Sequence, residues 1–332
     1  MSNVAETWLD EQADHLLPKE PEETSGLKAI TALDFLNRDI PPRKMLLAPW
    51  LPTSGLAMVY APRGIGKTWF ALYTALAVAS GGEFLGWKAL RAAKVLYLDG
   101  EMPAIALQER LSTAIATGNY VMDDPAALLI ITPDLQPEYR PMPDLASLEG
   151  QMLLESHTAN VELIIVDNIA TLCRSGKENE GESWLSVQAW ALRMRAQGKS
   201  VLFIHHAGKS GQQRGTSRRE DVLDTVIALR HAKADEAPEG AAFELHFEKN
   251  RGFYGDEAKP REVSLTSDTK GNTVWSWQNL SDSTFDRVVS LLNEGLKQSD
   301  VATELEINKG TVSKYARKAK EAGLLISQGG QK

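Results

Sequence analysis

The sequence predicts an α/β protein with a mostly parallel central sheet, followed by a small all-helical module. Three observations carry this. Short apolar runs near 56–60, 95–99, 127–131, 163–166 and 200–204 alternate with helix-like stretches, the pattern of a sheet covered on both faces. Between the first run and the helix after it lies Ala61-Pro62-Arg63-Gly64-Ile65-Gly66-Lys67-Thr68, a glycine-rich turn in strand–turn–helix context. Beyond residue 284 strand patterning stops and only helical periodicity remains.

Composition bounds the class. The chain has 332 residues, 43% hydrophobic and 24% charged, as in an ordinary soluble globular protein. No apolar run approaches the roughly 20 residues that cross a bilayer, and the polar start lacks a signal-peptide core, so no membrane partner is expected. Cys173 is the single cysteine, which excludes an intrachain disulfide and fits a reducing cytoplasm. The net charge of −8 is unevenly spread. Glu6, Asp10, Glu11, Asp14, Glu20, Glu22 and Glu23 crowd the first thirty residues. Lys309, Lys314, Arg317, Lys318, Lys320 and Lys332 crowd the last twenty-four, the kind of basic end that meets nucleic acid.

In order along the chain, residues 1–44 read as an acidic, partly flexible arm, with a helix over Thr31–Ile40 stopped by Pro41-Pro42. The core spans 45–278. Its first helix runs to about Ser80 and stops at Gly81-Gly82. Pro103 opens a second helix, ended at Gly118, and Ser183–Gln197 makes a third. After residue 220 the segments Val222–Arg230, Ala242–Lys249, Glu262–Thr266 and Thr273–Trp277 read as antiparallel strands, with 250–255 as an exposed hairpin tip. Residues 278–283 read as a polar linker to a module at 284–332.

The chemistry collects at the ends of the parallel strands. Gly64 and Gly66 let successive amides of the 62–68 turn face inward as an anion nest. Lys67 reaches the β- and γ-phosphates of a nucleoside triphosphate, and the Thr68 hydroxyl completes the coordination of magnesium. Alanine replaces the usual first glycine at Ala61, which is tolerable if its backbone needs no positive φ. Asp167 closes the run Leu163-Ile164-Ile165-Val166, the pattern that holds a magnesium water shell. Glu101 is the candidate to orient the attacking water, with Asp99 as competitor and a helix cap as its plainer role. His205 or His206, after Val201-Leu202-Phe203-Ile204, would sense the γ-phosphate. Lys249 and Arg251 flank Asn250 and could reach a neighbouring subunit's nucleotide, or simply face water. Two glycine-rich basic segments suit single-stranded DNA: Arg174 to Gly181, and more strongly the one bearing Lys209, Arg214, Arg218 and Arg219.

Ala61-to-Thr68, Ala79-to-Trp87, Val95-to-Glu101, Leu163-to-Asp167, Phe203-to-Ala207 and Arg214-to-Ser217 together resemble the RecA-like core of RepA-type plasmid and mobile-element replicative helicases. The resemblance covers about two-thirds of the chain. It implies a homohexameric ring that hydrolyses ATP with Mg2+ between subunits and translocates on single-stranded DNA. Glu101 then matches the catalytic glutamate, Asp167 the metal-binding aspartate, and His206 or His205 the γ-phosphate sensor. Ala61 departs from the family pattern. So does the stretch after Ser217, where Arg218-Arg219-Glu220-Asp221 obscures the trans-acting arginine.

At the carboxyl end, Asp286–Asn293, Gln298–Leu305 and Thr311–Ala322 read as three helices. The last two resemble a helix-turn-helix, with Thr311, Ser313, Lys314, Arg317 and Lys318 available to duplex DNA. Gly323-Leu324-Leu325-Ile326 leaves a wing strand open, and a small oligomerisation or replication-partner module is the alternative. The whole therefore reads as a DNA motor, most simply a replicative helicase. Its rival is a DNA-binding initiator or regulator that uses ATP as an assembly switch without unwinding.

Overall fold

The structure is a computed structural model, and it describes residues 28–118, 120–138, 141–174, 181–208, 220–232, 241–267, 269 and 273–325. Two units, 1–42 and 43–332, separate by their internal contacts. In the first, helix α1 is Ala32–Leu36, shorter than the expected Thr31–Ile40, and is capped by Thr31, whose hydroxyl accepts from the Asp34 amide.

The second unit opens with two short strands, β1 (Met45–Leu47) and β2 (Leu51–Pro52), and the buried β3 (Leu56–Ala61). Helix α2 (Lys67–Ser80) follows and ends at Gly81, left-handed at φ 71°. Next come the small hairpin β4 (Glu83–Phe84) and β5 (Trp87–Lys88), then β6 (Val95–Asp99), α3 (Ala104–Gly118) and β7 (Leu128–Ile131). The short helices α4 (Leu148–Leu153) and α5 (Glu155–Thr158) lead to β8 (Leu163–Asp167), α6 (Ile169–Leu172), α7 (Gly181–Ala196) and β9 (Ser200–His206). Strands β10 (Thr225–His231), β11 (Ala241–Asn250), β12 (Arg261–Ser267) and β13 (Thr273–Asn279) complete the sheet. Helices α8 (Leu280–Asn293), α9 (Gln298–Glu304) and α10 (Lys309–Glu321) close the described chain.

Nine strands form one sheet in the order β13-β12-β11-β10-β3-β9-β8-β6-β7. From β10 to β7 every pairing is parallel, while β11, β12 and β13 add an antiparallel extension. This is the mixed α/β fold with a largely parallel sheet that the alternating runs predict. The strand before the glycine-rich turn, β3, is separated from the Asp167 strand, β8, by β9 alone.

Alternation assigns each central side chain to a face. Ala57, Val59, Tyr97, Ile165, Leu202 and Ile204 join the core beneath α2, with Trp50, Phe70 and Trp87. Met58, Tyr60, Leu98, Val166, Val201 and Phe203 join the opposite core, with Trp184 and Trp190. The two packed faces fix the sheet register, because a one-residue slip would exchange the two sets.

One expectation needs correction. There is no polar linker at 278–283: β13 runs to Asn279 and α8 begins at Leu280. Gln278 and Ser281 are exposed positions of these elements and Asn279 is half-buried. Ser283 is buried and its hydroxyl donates to the Glu262 carboxylate on β12. The 250–255 tip is exposed as expected at Arg251, Gly252, Tyr254 and Gly255. Its anchor is Phe253, buried against Phe247 with ring centroids 5.0 Å apart, and the Asn250 amide donates to the Phe253 carbonyl.

Candidate functional site

The parallel strands end together, and the turn after β3 lies at that edge. Gly64 (φ 78°) and Gly66 (φ 110°) occupy the left-handed region, so the two glycines supply the curvature of the nest. A side chain at Gly66 would also run into Ala241, its Cβ falling 2.5 Å from the Ala241 Cβ. Ala61 is the last residue of β3, paired with His206, and has no positive φ. Alanine is therefore unstrained where the usual pattern has glycine. Lys67 is buried, and its ammonium donates to the carbonyls of Pro62 (2.8 Å) and Ala61 (3.3 Å), folded over the turn it would serve. Burial holds the Lys67 pKa below its ordinary value, against the raising pull of Asp167 and Glu101.

Asp167 ends β8 on the α2 face. It is buried, and burial pushes its carboxyl up to about 6 despite hydrogen bonds from Tyr97 and Thr68. The Tyr97 hydroxyl, fully buried on the neighbouring β6, donates to Asp167 Oδ2 at 2.6 Å. Sequence reasoning missed this partner. Its signal was the alternation of β6, which puts Tyr97 on the same face as Asp167.

Asp99 and Glu101 prove to do different things. Asp99 is 2% exposed, and its Oδ1 accepts from the backbone amides of Glu101 and Met102 while Oδ2 accepts from the Thr132 hydroxyl at 2.9 Å. It shapes the chain that carries Glu101. The Glu101 carboxylate is largely solvent-facing and takes a hydrogen bond from the Asn168 amide, with His206 Nε2 3.6 Å away. It does not cap α3; the Ala104 amide is capped instead by Asp134 Oδ2 at 2.8 Å.

The histidine pair is resolved by strand alternation. β9 continues through both residues, so His206 falls on the α2 face beside Glu101 while His205 falls on the opposite face and is fully buried. His205 is therefore not at the site, a correction to the pair expected from sequence. Burial, then the Lys67 charge, lower the His206 pKa, which favours the neutral imidazole.

Lys67, Thr68, Glu101, Asp167, Asn168 and His206 line one cavity of about 470 Å³. The donor set fits magnesium and a triphosphate: an amide nest with a lysine for the anion, and the hard oxygens of Thr68 and Asp167 for the cation. Among the described residues no cluster of three His, Cys, Asp or Glu side chains forms a metal site by itself.

Lys249 and Arg251 lie elsewhere. Thr225 pairs with Ala57 of β3 on one side and with Asn250 of β11 on the other, so this end of the sheet is the start of β3. The phosphate-binding turn is at the far end, roughly 13 Å along the strand at 3.3 Å per residue. Both side chains are held within the chain: Lys249 donates to the carbonyls of Glu220 and Asp221, and Arg251 donates to that of Asp221 at 3.2 Å.

At the carboxyl end, Val288, Val301, Ala302, Leu305 and Val312 make a compact core of their own. Glu306 turns the chain between α9 and α10 with φ 51°, and the Asn308 side chain caps α10 by accepting from the Gly310 amide at 2.7 Å. Ser313, Lys314 and Arg317 are exposed on α10, with Thr311 half-buried. The Lys318 ammonium sits 4.5 Å over the Phe285 ring. Lys209, Arg214, Arg218 and Arg219, most of the 174–181 segment and the wing residue Ile326 lie outside the described residues.

A family model described as an AAA domain matches residues 21–212, more than half the chain. The chain belongs to the AAA domain family. An AAA domain is a P-loop ATPase domain that works with nucleotide and Mg2+, in agreement with the donor set above. Among solved structures, the AAA protein is similar to a KaiC-like protein from the hyperthermophilic archaeon Pyrococcus horikoshii OT3. The identity is 14% and the TM-score 0.46, over 70% of this chain and 93% of that one. Among the described residues no helix is long and apolar enough to cross a membrane.

Proposed function

We propose that this AAA protein is an ATP-hydrolysing DNA motor that works as a homohexameric ring, a replicative helicase of a plasmid or mobile element. Lys67 and the 64–68 amides hold the β- and γ-phosphates, and Thr68 and Asp167 hold magnesium, which supplies charge neutralisation of the phosphates when bound. Glu101, steadied by Asn168, orients the attacking water and accepts its proton at the carboxylate. His206, neutral and adjacent, registers the γ-phosphate at Nε2.

One observation carries the ring: Lys249 and Arg251 sit at the opposite end of β3 from their own phosphate turn. Cations so placed suit a neighbour's nucleotide better than their own. Lys209, Arg214, Arg218 and Arg219 are assigned to single-stranded DNA in the ring channel. The test mixes Lys67→Ala and Arg251→Ala subunits, each inactive alone. Mixed rings regain part of the ATPase rate, because some interfaces pair an intact turn with an intact arginine. A rate per subunit independent of concentration, from a monomer in a sizing column with ATP, defeats the ring.

The exposed Ser313, Lys314 and Arg317 on α10 favour a second reading, a duplex-binding initiator switched by ATP. Strand displacement on a forked substrate separates the two.

A further inference from the structure

We propose that the outward face of α7 is a two-fold contact with a second copy of this chain. α7 buries Trp184, Val187, Trp190, Ala191 and Met194 in the core on its side of the sheet. The side turned away from them carries Leu185, Ala189, Leu192 and Ala196, all exposed, Leu185 by 59%. Their spacing of four, three and four residues is that of one seam of a helix pair. A helix apolar on its outer face as well as its inner one has a second surface to cover. α4 lies alongside. The Gln151 side-chain amide donates to the Ser186 carbonyl, and Arg193 donates to Gln151 Oε1. On α4, Leu148 and Met152 stand 68% and 58% exposed, one turn apart, and add apolar surface on that side. Single exposed apolar side chains are ordinary, whereas a set along one face marks an interaction surface.

The seam fits itself. Two α7 helices packed antiparallel, with the two-fold axis crossing between Trp190 and Ala191, set Leu185 level with Ala196 and Ala189 level with Leu192. Every leucine then meets an alanine of the other copy, so large and small side chains interlock along the contact. A parallel pair would instead set leucine on leucine and leave gaps at the alanines. The flanks agree in charge. Arg193 comes beside Ser186 of the second copy and Arg195 beside its Gln188, so each guanidinium meets a neutral side chain with an accepting oxygen. Such an isologous contact closes at two copies. It is separate from the ring contact, which runs from one subunit's Lys249 and Arg251 to the next one's phosphate turn, and it does not rest on that reading.

The experiment is sedimentation velocity on the full chain without nucleotide, over a concentration series. Wild type should pass from monomer to dimer. Leu185→Lys puts a cation beside Arg193 and Arg195 of the second copy and should weaken the dimer at least about a hundredfold. Leu185→Glu offers the same arginines a counter-charge and should lose at least about tenfold less. Leu192→Ser should weaken the dimer at least about tenfold through lost apolar contact alone. A short bis-maleimide should join Ala189→Cys chains into dimers, and should leave wild type and Glu109→Cys, exposed on α3, unjoined. A monomer at every concentration overturns the proposal, as does an assembly that Leu185→Lys and Leu192→Ser leave intact. Equal losses for the two Leu185 variants, or no cross-link through Ala189→Cys, would mean that α7 meets a different surface, and would overturn the two-fold. Should Leu185→Lys fail to fold, Leu192→Ser and the cross-link decide.

Discussion

Glu101→Gln and Asp99→Asn should separate turnover from stability. Glu101 is largely exposed and touches only Asn168 and His206, so an isosteric amide leaves the fold within about 0.5 kcal/mol. In the proposed mechanism its loss removes the group that accepts the water's proton, a contribution of about 10²–10⁴ in rate, or roughly 3–5 kcal/mol of barrier. Asp99 is the reverse case. Its carboxylate is 2% exposed and accepts from two backbone amides and the Thr132 hydroxyl. An asparagine keeps one accepting oxygen, turns the other into a donor facing Thr132, and removes the charge that strengthens all three bonds. About 1–3 kcal/mol of stability is lost, a fall in midpoint of roughly 2–4 °C for each kcal/mol in a domain of this size. Phosphate release at saturating MgATP reads the first effect and thermal unfolding the second. The expected pattern is a stable, ATP-binding, nearly inactive Glu101→Gln and a less stable, active Asp99→Asn. If Glu101→Gln hydrolyses at the wild-type rate while a folded Asp99→Asn does not, the assignment is off by two residues.

Further outcomes follow from the same geometry. Tyr97→Phe removes a donor to Asp167 Oδ2 that lowers its pKa, so that pKa should climb above about 6. Only the ionised carboxylate holds the cation, so the Mg2+ needed for half-maximal ATPase should rise several-fold as pH falls toward 6. The variant should show this onset at higher pH than wild type, and superimposed Mg2+ titrations at pH 6 and 7.5 would refute the role of Tyr97. His206→Ala should lower kcat with ATP affinity within twofold. His205→Ala should instead lower stability by the roughly 2–4 kcal/mol typical of a large buried side chain cut to alanine, read as a fall in the unfolding midpoint. Steady-state kinetics with thermal melts tell the two apart. Ending the chain after Asn279 should preserve basal ATPase and abolish selective duplex binding, whereas a cut at 284 splits α8 and should aggregate. A truncated protein that still binds duplex selectively would assign the helical module to protein contacts. Lys314→Ala and Arg317→Ala should weaken duplex binding, with a shallower salt slope wherever a phosphate contact is lost.

The parallel sheet and the phosphate turn were legible because each is written in contiguous residues. Apolar runs of four to six residues can be buried on both faces only as central strands, and a Gly64/Gly66 turn between strand and helix has one common use. The sequence misleads where a side chain's direction, not its identity, decides. Continuing the alternation of Val201, Leu202, Phe203 and Ile204 by two residues already separates His206 from His205, and the same rule puts Tyr97 with Asp167. Both were available from strand periodicity once the strand was taken to its true end. Polar residues at 278–283 do not make a linker, because a strand edge and an amphipathic helix also need polar positions. Trp69 and Arg110 are another matter. They lie forty-one positions apart on α2 and α3, and neither residue signals the other. Their meeting depends on how the helices after β3 and β6 pack over the sheet, a property of the whole core. The end of the cavity that holds Lys67, Asp167 and Glu101 is therefore readable from motifs, whereas the Trp69–Arg110 contact emerges only with the fold.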